Sequence, residues 1–162
     1  MKKNITSRNF IFCFVLTVIF PCSINTLFAG QYSYNVNNQN IALHGYDPVS
    51  YFQSKPAKGL NSLSYEYNKV NYIFSNKKNK TIFIDNPDKH IPVFGGYCAY
   101  GVRVGKKLDI DPNAYAIEAG RLYMLLNRST KNLWDKDRER NIAIAKRLWP
   151  TIKSVTPESL NN

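Results

Sequence analysis

Gly95-Gly-Tyr-Cys-Ala-Tyr-Gly101 is the stretch of sequence around which this 162-residue chain is organised. It places Cys98 between glycines and aromatic rings. Adjacent glycines permit backbone angles and close approaches that a side chain would block, so Gly95 and Gly96 predict a tight turn or packing contact that sets the position of the thiol. From the residues alone, two interpretations of Cys98 stay open: a buried structural cysteine, and a reactive or metal-binding thiol.

Residues 1–29 have the pattern of a secretory signal peptide. A basic start precedes an apolar run over residues 10–20, which is shorter than the roughly 20 residues that a membrane-spanning helix needs. Cleavage is expected near Ala29. The sequence therefore predicts a periplasmic or secreted protein.

The cysteines fit export without a disulfide. Cys13 and Cys22 would leave with the signal peptide, so Cys98 would remain as a lone thiol in an oxidising compartment. Lipidation at Cys22 is an alternative, but Pro21 directly before it is unlike the small residue of a lipobox.

Charge points to a basic exported domain. Three of the 22 basic residues lie in 1–29, and the 19 that remain against 11 acidic residues give a net charge of +8. Such a surface can contact an anionic envelope component, whereas no basic helix or groove indicates nucleic-acid binding. The sequence gives no oligomeric state.

The boundaries that we predict are a signal peptide over 1–29, a flexible lead-in over 30–40, one folded domain over 41–152 and a C-terminal tail over 153–162. About 130 residues after cleavage are enough for a single modest core.

Two hairpins are predicted. Aromatic and β-branched residues alternate from Tyr65 to Phe74 around the polar pair at 68–69, and a second hairpin is expected over 115–126 around Gly120. The residues 111–114 are typical of a helix start or a turn.

Helical patterns lie between and after the hairpins. Ser75 is a plausible N-cap for a helix that ends at 86–87, a short helix is expected over 87–93, and the apolar spacing of 127–149 predicts a C-terminal helix that ends at Trp149-Pro150. Helices and short antiparallel strands in irregular order predict a small α+β fold.

Several motifs together resemble the YHS-domain proteins, and most closely their exported single-domain branch, which includes selenoproteins. The motifs are Gly45-Tyr-Asp-Pro-Val-Ser-Tyr-Phe52, Tyr72-Ile-Phe-Ser75, Asn86-Pro-Asp-Lys89, Gly95-Gly-Tyr-Cys-Ala-Tyr-Gly101, Leu122-Tyr123 and Trp149-Pro150. The resemblance covers nearly all of the domain over 41–152. It implies binding of a heavy metal, copper above all, and selenocysteine at the cysteine position of relatives implies a chemically active Cys98.

The resemblance fails at the metal ligands of the family. YHS modules of copper-transporting ATPases have cysteines at the positions that Ser50, Ser75 and Asn79 occupy here. Soft metals need thiolate or imidazole donors, so strong Cu(I) binding through this set is not expected.

The remaining candidates for a metal site are Cys98, His44 and His90, a set that suits a copper or zinc ion. A satisfied or surface histidine is the alternative for each imidazole.

Four residues are candidates for a ligand-binding wall: Tyr46, Asp47, Tyr97 and Tyr100. Aromatic core packing with partnered hydroxyls is the alternative for the tyrosines.

Three functions follow from these observations. The first is a module that binds a metal ion or small ligand near Cys98. The second is a thiol-dependent redox protein in which Cys98 is catalytic and an external thiol completes the cycle. The third is a non-catalytic interaction protein with a basic surface. The sequence leans away from an enzyme, since no Ser/His/Asp triad, carboxylate pair or phosphate loop is present.

Overall fold

The computed structural model describes residues 32–162, and within that range it contains six α-helices and two antiparallel sheets of two strands each. The elements are, in chain order, β1 (Leu60–Tyr67), β2 (Val70–Phe74), α1 (Lys77–Asp85), α2 (Pro87–His90), α3 (Ala99–Arg103), β3 (Asp111–Glu118), β4 (Arg121–Leu125), α4 (Arg128–Asp135), α5 (Arg138–Ile152) and α6 (Pro157–Asn161). The predicted α+β class is confirmed. The predicted signal peptide lies outside the described residues, and no helix within 32–162 is long and apolar enough to cross a membrane.

β1 and β2 form the hairpin that the alternating aromatic residues predict. Tyr67 pairs with Val70 across a two-residue turn in which residues 68 and 69 both have left-handed backbone angles, with φ of 52° and 63°. Two left-handed residues match the twist of the flanking strands. Phe83 of α1 packs on the inner face of the sheet, and its ring centroid lies 4.9 Å from that of Tyr72.

β3 and β4 form the second predicted hairpin, and Gly120 lies in its turn with a φ of 70°. The prediction for residues 111–114 is wrong in part, because they open β3 rather than a helix. Asp111 pairs with Leu125, and its carboxylate accepts a hydrogen bond from the Asn113 N–H at 2.8 Å. The turn-forming residues of this stretch therefore coincide with a shift in strand register between Asp111 and Tyr115.

The caps of the helices differ in detail from the prediction. α1 begins after Asn76, whose side-chain oxygen accepts a hydrogen bond from the Asn79 N–H at 2.9 Å. The predicted cap, Ser75, instead turns its hydroxyl inward to Asp47. α2 ends at His90 rather than at residue 93, because Ile91 and Pro92 adopt extended backbone angles.

The predicted C-terminal helix is two helices, and it does not end at Trp149-Pro150. Asp137 interrupts it and caps α5 by accepting from the Arg140 N–H at 3.1 Å. α5 then continues through Pro150 to Ile152, which is buried. One hydrogen bond is lost at the proline, and packing of the last turn compensates for it.

Both ends of the described chain make hydrogen bonds to the rest of the fold. The Asn35 N–H donates to the Gly95 carbonyl at 2.8 Å, so the residues before 41 dock on the glycine turn. Residues 157–161 form α6, and the side chain of Asn161 makes two hydrogen bonds with the backbone of Lys107. The Asn35 N–H at one end and the Asn161 side chain at the other are therefore hydrogen-bonded within the fold.

Within the core, α3 packs on both α5 and β4. Cys98, Ala99 and Val102 are fully buried there. The stretch from Gly95 to Gly101 therefore enters the centre of the molecule directly after the glycine turn.

Candidate functional site

Cys98 has a fully buried thiol. It has no exposed surface, and its sulfur accepts hydrogen bonds from the N–H groups of Gly101 at 3.4 Å and Leu126 at 3.2 Å. Burial raises the pKa of the thiol above its ordinary value, although the backbone hydrogen bonds oppose that shift. A neutral, enclosed thiol is a poor nucleophile and a poor metal ligand.

The glycine pair before Cys98 makes both the turn and the close contact that the sequence predicts. Gly95 and Gly96 have φ of 62° and 83°. A Cβ on Gly95 would lie 1.9 Å from the carbonyl oxygen of Ser33, which is far inside any allowed contact. Only glycine therefore lets the N-terminal residues lie across this turn.

Asp47 is the centre of a buried polar cluster and not a wall of a binding pocket. One carboxylate oxygen accepts from the Val49 N–H at 2.9 Å. The other accepts from the N–H and hydroxyl of Ser75 at 2.9 and 2.7 Å and from the Asn79 amide at 2.6 Å. Ser50 joins the cluster by donating to the Asp47 carbonyl at 2.6 Å.

The two histidines have separate environments. His90 is 4% exposed, and its Nδ1–H donates to the Asn86 carbonyl at 2.9 Å. Burial lowers its pKa, so it is a neutral core residue. His44 lies at the surface, and its Nε2 is 2.8 Å from a carboxylate oxygen of Asp109.

The remaining ligand-wall candidates do not share one pocket. Tyr46 lies under the ammonium of Lys58, and Tyr100 lies under the guanidinium of Arg103. The buried Tyr97 directs its hydroxyl at the carbonyls of residues 32 and 34, at 3.2 Å each. Burial raises its pKa to about 12.

These positions do not fit a soft metal ion. Within residues 32–162 no three His, Cys, Asp or Glu side chains are grouped so that they could hold one. Cys98, His44 and His90 each have their own hydrogen-bond partners. Around Asp47 the side chains of Ser75 and Asn79 offer oxygen in place of the thiolate or imidazole ligands that soft metals prefer.

A cleft of about 450 Å³ opens beside the Gly95 turn. Its walls come from the N-terminal segment, from residues 91–95 and from the end of α5. The side chains that define its chemistry are the aromatic Tyr34, Phe94 and Trp149 and the cationic Arg121, Lys146 and Lys153. We call it the basic cleft.

The three cations of the basic cleft have no anionic partner in the described chain. None of their side chains forms a salt bridge or a hydrogen bond within residues 32–162, and none of the residues that line the cleft is acidic. Phe94, in the wall of the cleft, holds a left-handed φ of 57°, as seven other non-glycine residues of the described chain do.

Lys107 is the residue of this region that sequence reasoning missed. It is 1% exposed, and its ammonium donates to the carbonyls of Tyr32, Lys153 and Val155 at 2.6–2.7 Å. The same ammonium lies 5.2 Å from the Tyr97 ring centroid and 5.6 Å from that of Trp149. The sequence shows it only as one member of a basic cluster, with nothing to mark it as buried.

The chain was compared with protein-family models, with curated proteins and with solved structures, and none of the three comparisons gives a match, so membership of the YHS family stays a prediction from the motifs.

Proposed function

We propose that this chain is an exported, non-catalytic module of YHS type that binds a small anionic ligand in the basic cleft. This keeps the small-ligand function expected from the sequence and moves its site from Cys98 to the cleft beside the same glycine turn. The observation that carries the proposal is the set of three unpaired cations around an aromatic wall.

Charge and shape select the ligand class. Arg121, Lys146 and Lys153 converge on one opening without a carboxylate to neutralise them, which favours an anion such as a carboxylate or phosphate. Trp149 and Tyr34 offer ring surface for an apolar or planar part of the same molecule. A volume of about 450 Å³ lies within the usual range for small-molecule sites.

Binding without catalysis fits the lining. Its polar side chains are the cations and the hydroxyls of Ser33 and Tyr34, which can hold an anion but give no pair for acid–base chemistry at neutral pH. Cys98 is outside this lining, and burial keeps its thiol protonated.

Trp149 reports directly on the cleft. The other tryptophan, Trp134, is fully buried beside Tyr123, so a Trp134→Phe background leaves Trp149 as the single tryptophan signal. We expect phenyl phosphate to change this fluorescence saturably, and phenol to do so only weakly because it lacks the charge.

Variants that remove charge inside or outside the cleft distinguish binding in the cleft from attraction by the overall positive charge of the protein. Lys146→Met with Lys153→Met removes two charges from the cleft, and Lys77→Met with Lys78→Met removes two from the exposed start of α1. A solvent-screened ion contact is worth about 0.5–1 kcal/mol, so the cleft pair should weaken phenyl phosphate binding by about 5- to 30-fold.

The control pair should leave that affinity unchanged. Equal effects of the two pairs, or no saturable signal with phenyl phosphate, benzoate or inorganic phosphate, would overturn the proposed function.

A further inference from the structure

The basic cleft is built from chain segments that are distant in sequence and meet at Lys107. One part of its lining comes from Ser33 and Tyr34, and another comes from Trp149 and Lys153. Tyr32 directly precedes the first pair. Lys107 itself does not line the cleft, so its contacts lie behind the walls.

The ammonium of Lys107 joins these walls through backbone carbonyls. It donates to Tyr32 at 2.7 Å on the N-terminal side, and to Lys153 and Val155 at 2.7 and 2.6 Å on the C-terminal side. An ammonium has three N–H donors, and all three are used. No carboxylate shares the site, so the charge is satisfied by carbonyl dipoles and the ring faces of Tyr97 and Trp149.

A lysine is an expensive choice if stability alone is required. Burial of an ammonium carries a desolvation penalty, and an apolar side chain of the same length often serves as well in a core. What an apolar chain cannot do is hold three carbonyls from two segments at one point. The geometry therefore indicates a positioning role.

Tyr97 and Gly95 hold the same N-terminal segment, residues 32–35. The Tyr97 hydroxyl contacts the carbonyls of residues 32 and 34, and the Gly95 carbonyl accepts from the Asn35 N–H at 2.8 Å. The segment is thus attached at several points, and two side chains connect it to the end of α5: Lys107, and Ser33, whose hydroxyl donates to the Lys153 carbonyl at 3.5 Å.

We propose that Lys107 is the positioning residue that closes the basic cleft, because it fastens residues 32–35 to the end of α5 and so holds Tyr34 and Trp149 in one cleft. The effect on ligand affinity rests on the proposed function, whereas the closure itself does not.

The test uses Lys107→Met in the full chain, with Lys106→Met as its matched control. The side chain of Lys106 also donates to a backbone carbonyl, that of Asn161 at 3.2 Å, but it does not contact the N-terminal segment. Hydrogen exchange measures attachment of the segment through the Asn35 amide, and Trp149 fluorescence in the Trp134→Phe background measures phenyl phosphate binding.

We expect Lys107→Met to speed exchange at Asn35 by tenfold or more and to weaken phenyl phosphate binding by a similar factor, while amides of the β3–β4 hairpin keep their protection. Lys106→Met should change neither. For Lys107→Ala, added n-propylammonium should restore slow exchange at Asn35, and 1-propanol, which has no charge, should not.

Slow exchange at Asn35 in a folded Lys107→Met protein would overturn the proposal. If that variant does not fold, Tyr97→Phe gives the milder test, because it removes one attachment of the segment and should speed the same exchange locally. Failure of the unaltered protein to bind any anion would overturn the proposed function alone, since the exchange result does not depend on a ligand.

Discussion

Gly95→Ala should detach the N-terminal segment from the body of the protein. Gly95 has a φ of 62°, and an added Cβ would lie 1.9 Å from the Ser33 carbonyl oxygen and 2.9 Å from its carbon. Both are backbone atoms, so no side-chain rotation relieves the clash. Residues 32–35 must move away as a unit.

The magnitude follows from two separable contributions. An alanine in the left-handed region costs about 1 kcal/mol, and this applies equally to Gly105, which has a φ of 77° and open space around its Cα. Detachment adds the loss of the Asn35–Gly95 hydrogen bond and of the bonds from Tyr97 and Lys107 to Tyr32. At about 1 kcal/mol for each of two or three bonds, Gly95→Ala should be about 2–3 kcal/mol more destabilising than Gly105→Ala.

Urea unfolding of the two variants in parallel measures this difference, since the backbone contribution cancels. Hydrogen exchange at Asn35 shows whether the loss is local. Equal free energies of unfolding for Gly95→Ala and Gly105→Ala would refute the reasoning, because they would mean that the close contact with Ser33 is absent or easily relieved.

Three further predictions concern buried polar groups. Asp47→Asn should lower the free energy of unfolding by about 2–4 kcal/mol, because an amide brings N–H donors to a site already filled with donors. Asp88→Asn, at the exposed contact with a tyrosine hydroxyl, should change it by less than about 0.5 kcal/mol. Equal losses of stability for the two variants in urea unfolding would contradict this. Cys98 should react with iodoacetamide only at the rate of unfolding between pH 7 and 9, since its thiol is fully buried and burial raises its pKa; fast native labelling would reopen the redox interpretation. Burial lowers the pKa of Lys107 from 10.5 to about 8, so between pH 8 and 10.5 the unfolded chain binds more protons than the folded one. The unaltered protein should therefore gain stability relative to Lys107→Met as pH rises through this window. A loss of relative stability over the same window would show that the carbonyls raise the pKa instead.

Local signals account for what the sequence predicted of the fold. Both hairpins were predictable because strand alternation and turn residues lie next to each other in the chain. The cap of α1 was misplaced by one residue because Ser75 and Asn76 are both good caps, and only the position of Asp47, 28 residues earlier, decides between them. The predicted helix end at Pro150 follows the local rule that proline stops a helix. α5 continues to Ile152 because burial of that side chain is a tertiary effect, which a local rule does not include.

The candidate site was predicted less well because its residues come from separate segments. The glycine pair marks the right turn, but in the sequence only the adjacent Cys98 carries recognisable chemistry, and the cleft beside that turn is not visible. Nothing local distinguishes Lys107 from the less buried Arg103 and Lys106, and Lys146 and Lys153 have the sequence context of ordinary surface charges. Their common property is spatial, and it appears only when the N-terminal segment meets α5.

The hydrogen bonds around Asp47 explain why the metal-ligand positions that the YHS resemblance implies do not offer a soft-metal site here. Ser50, Ser75 and Asn79 are the positions at which the YHS resemblance implies thiolate ligands, and all three converge on Asp47. Convergence is what a shared metal would require of those positions. Here, however, Ser75 and Asn79 donate hydrogen bonds to a carboxylate, and the Asn79 oxygen is engaged by Gln53 at 3.0 Å. The carboxylate of Asp47 therefore lies where Ser75 and Asn79 converge and accepts their hydrogen bonds, so ligand binding is better sought at the basic cleft.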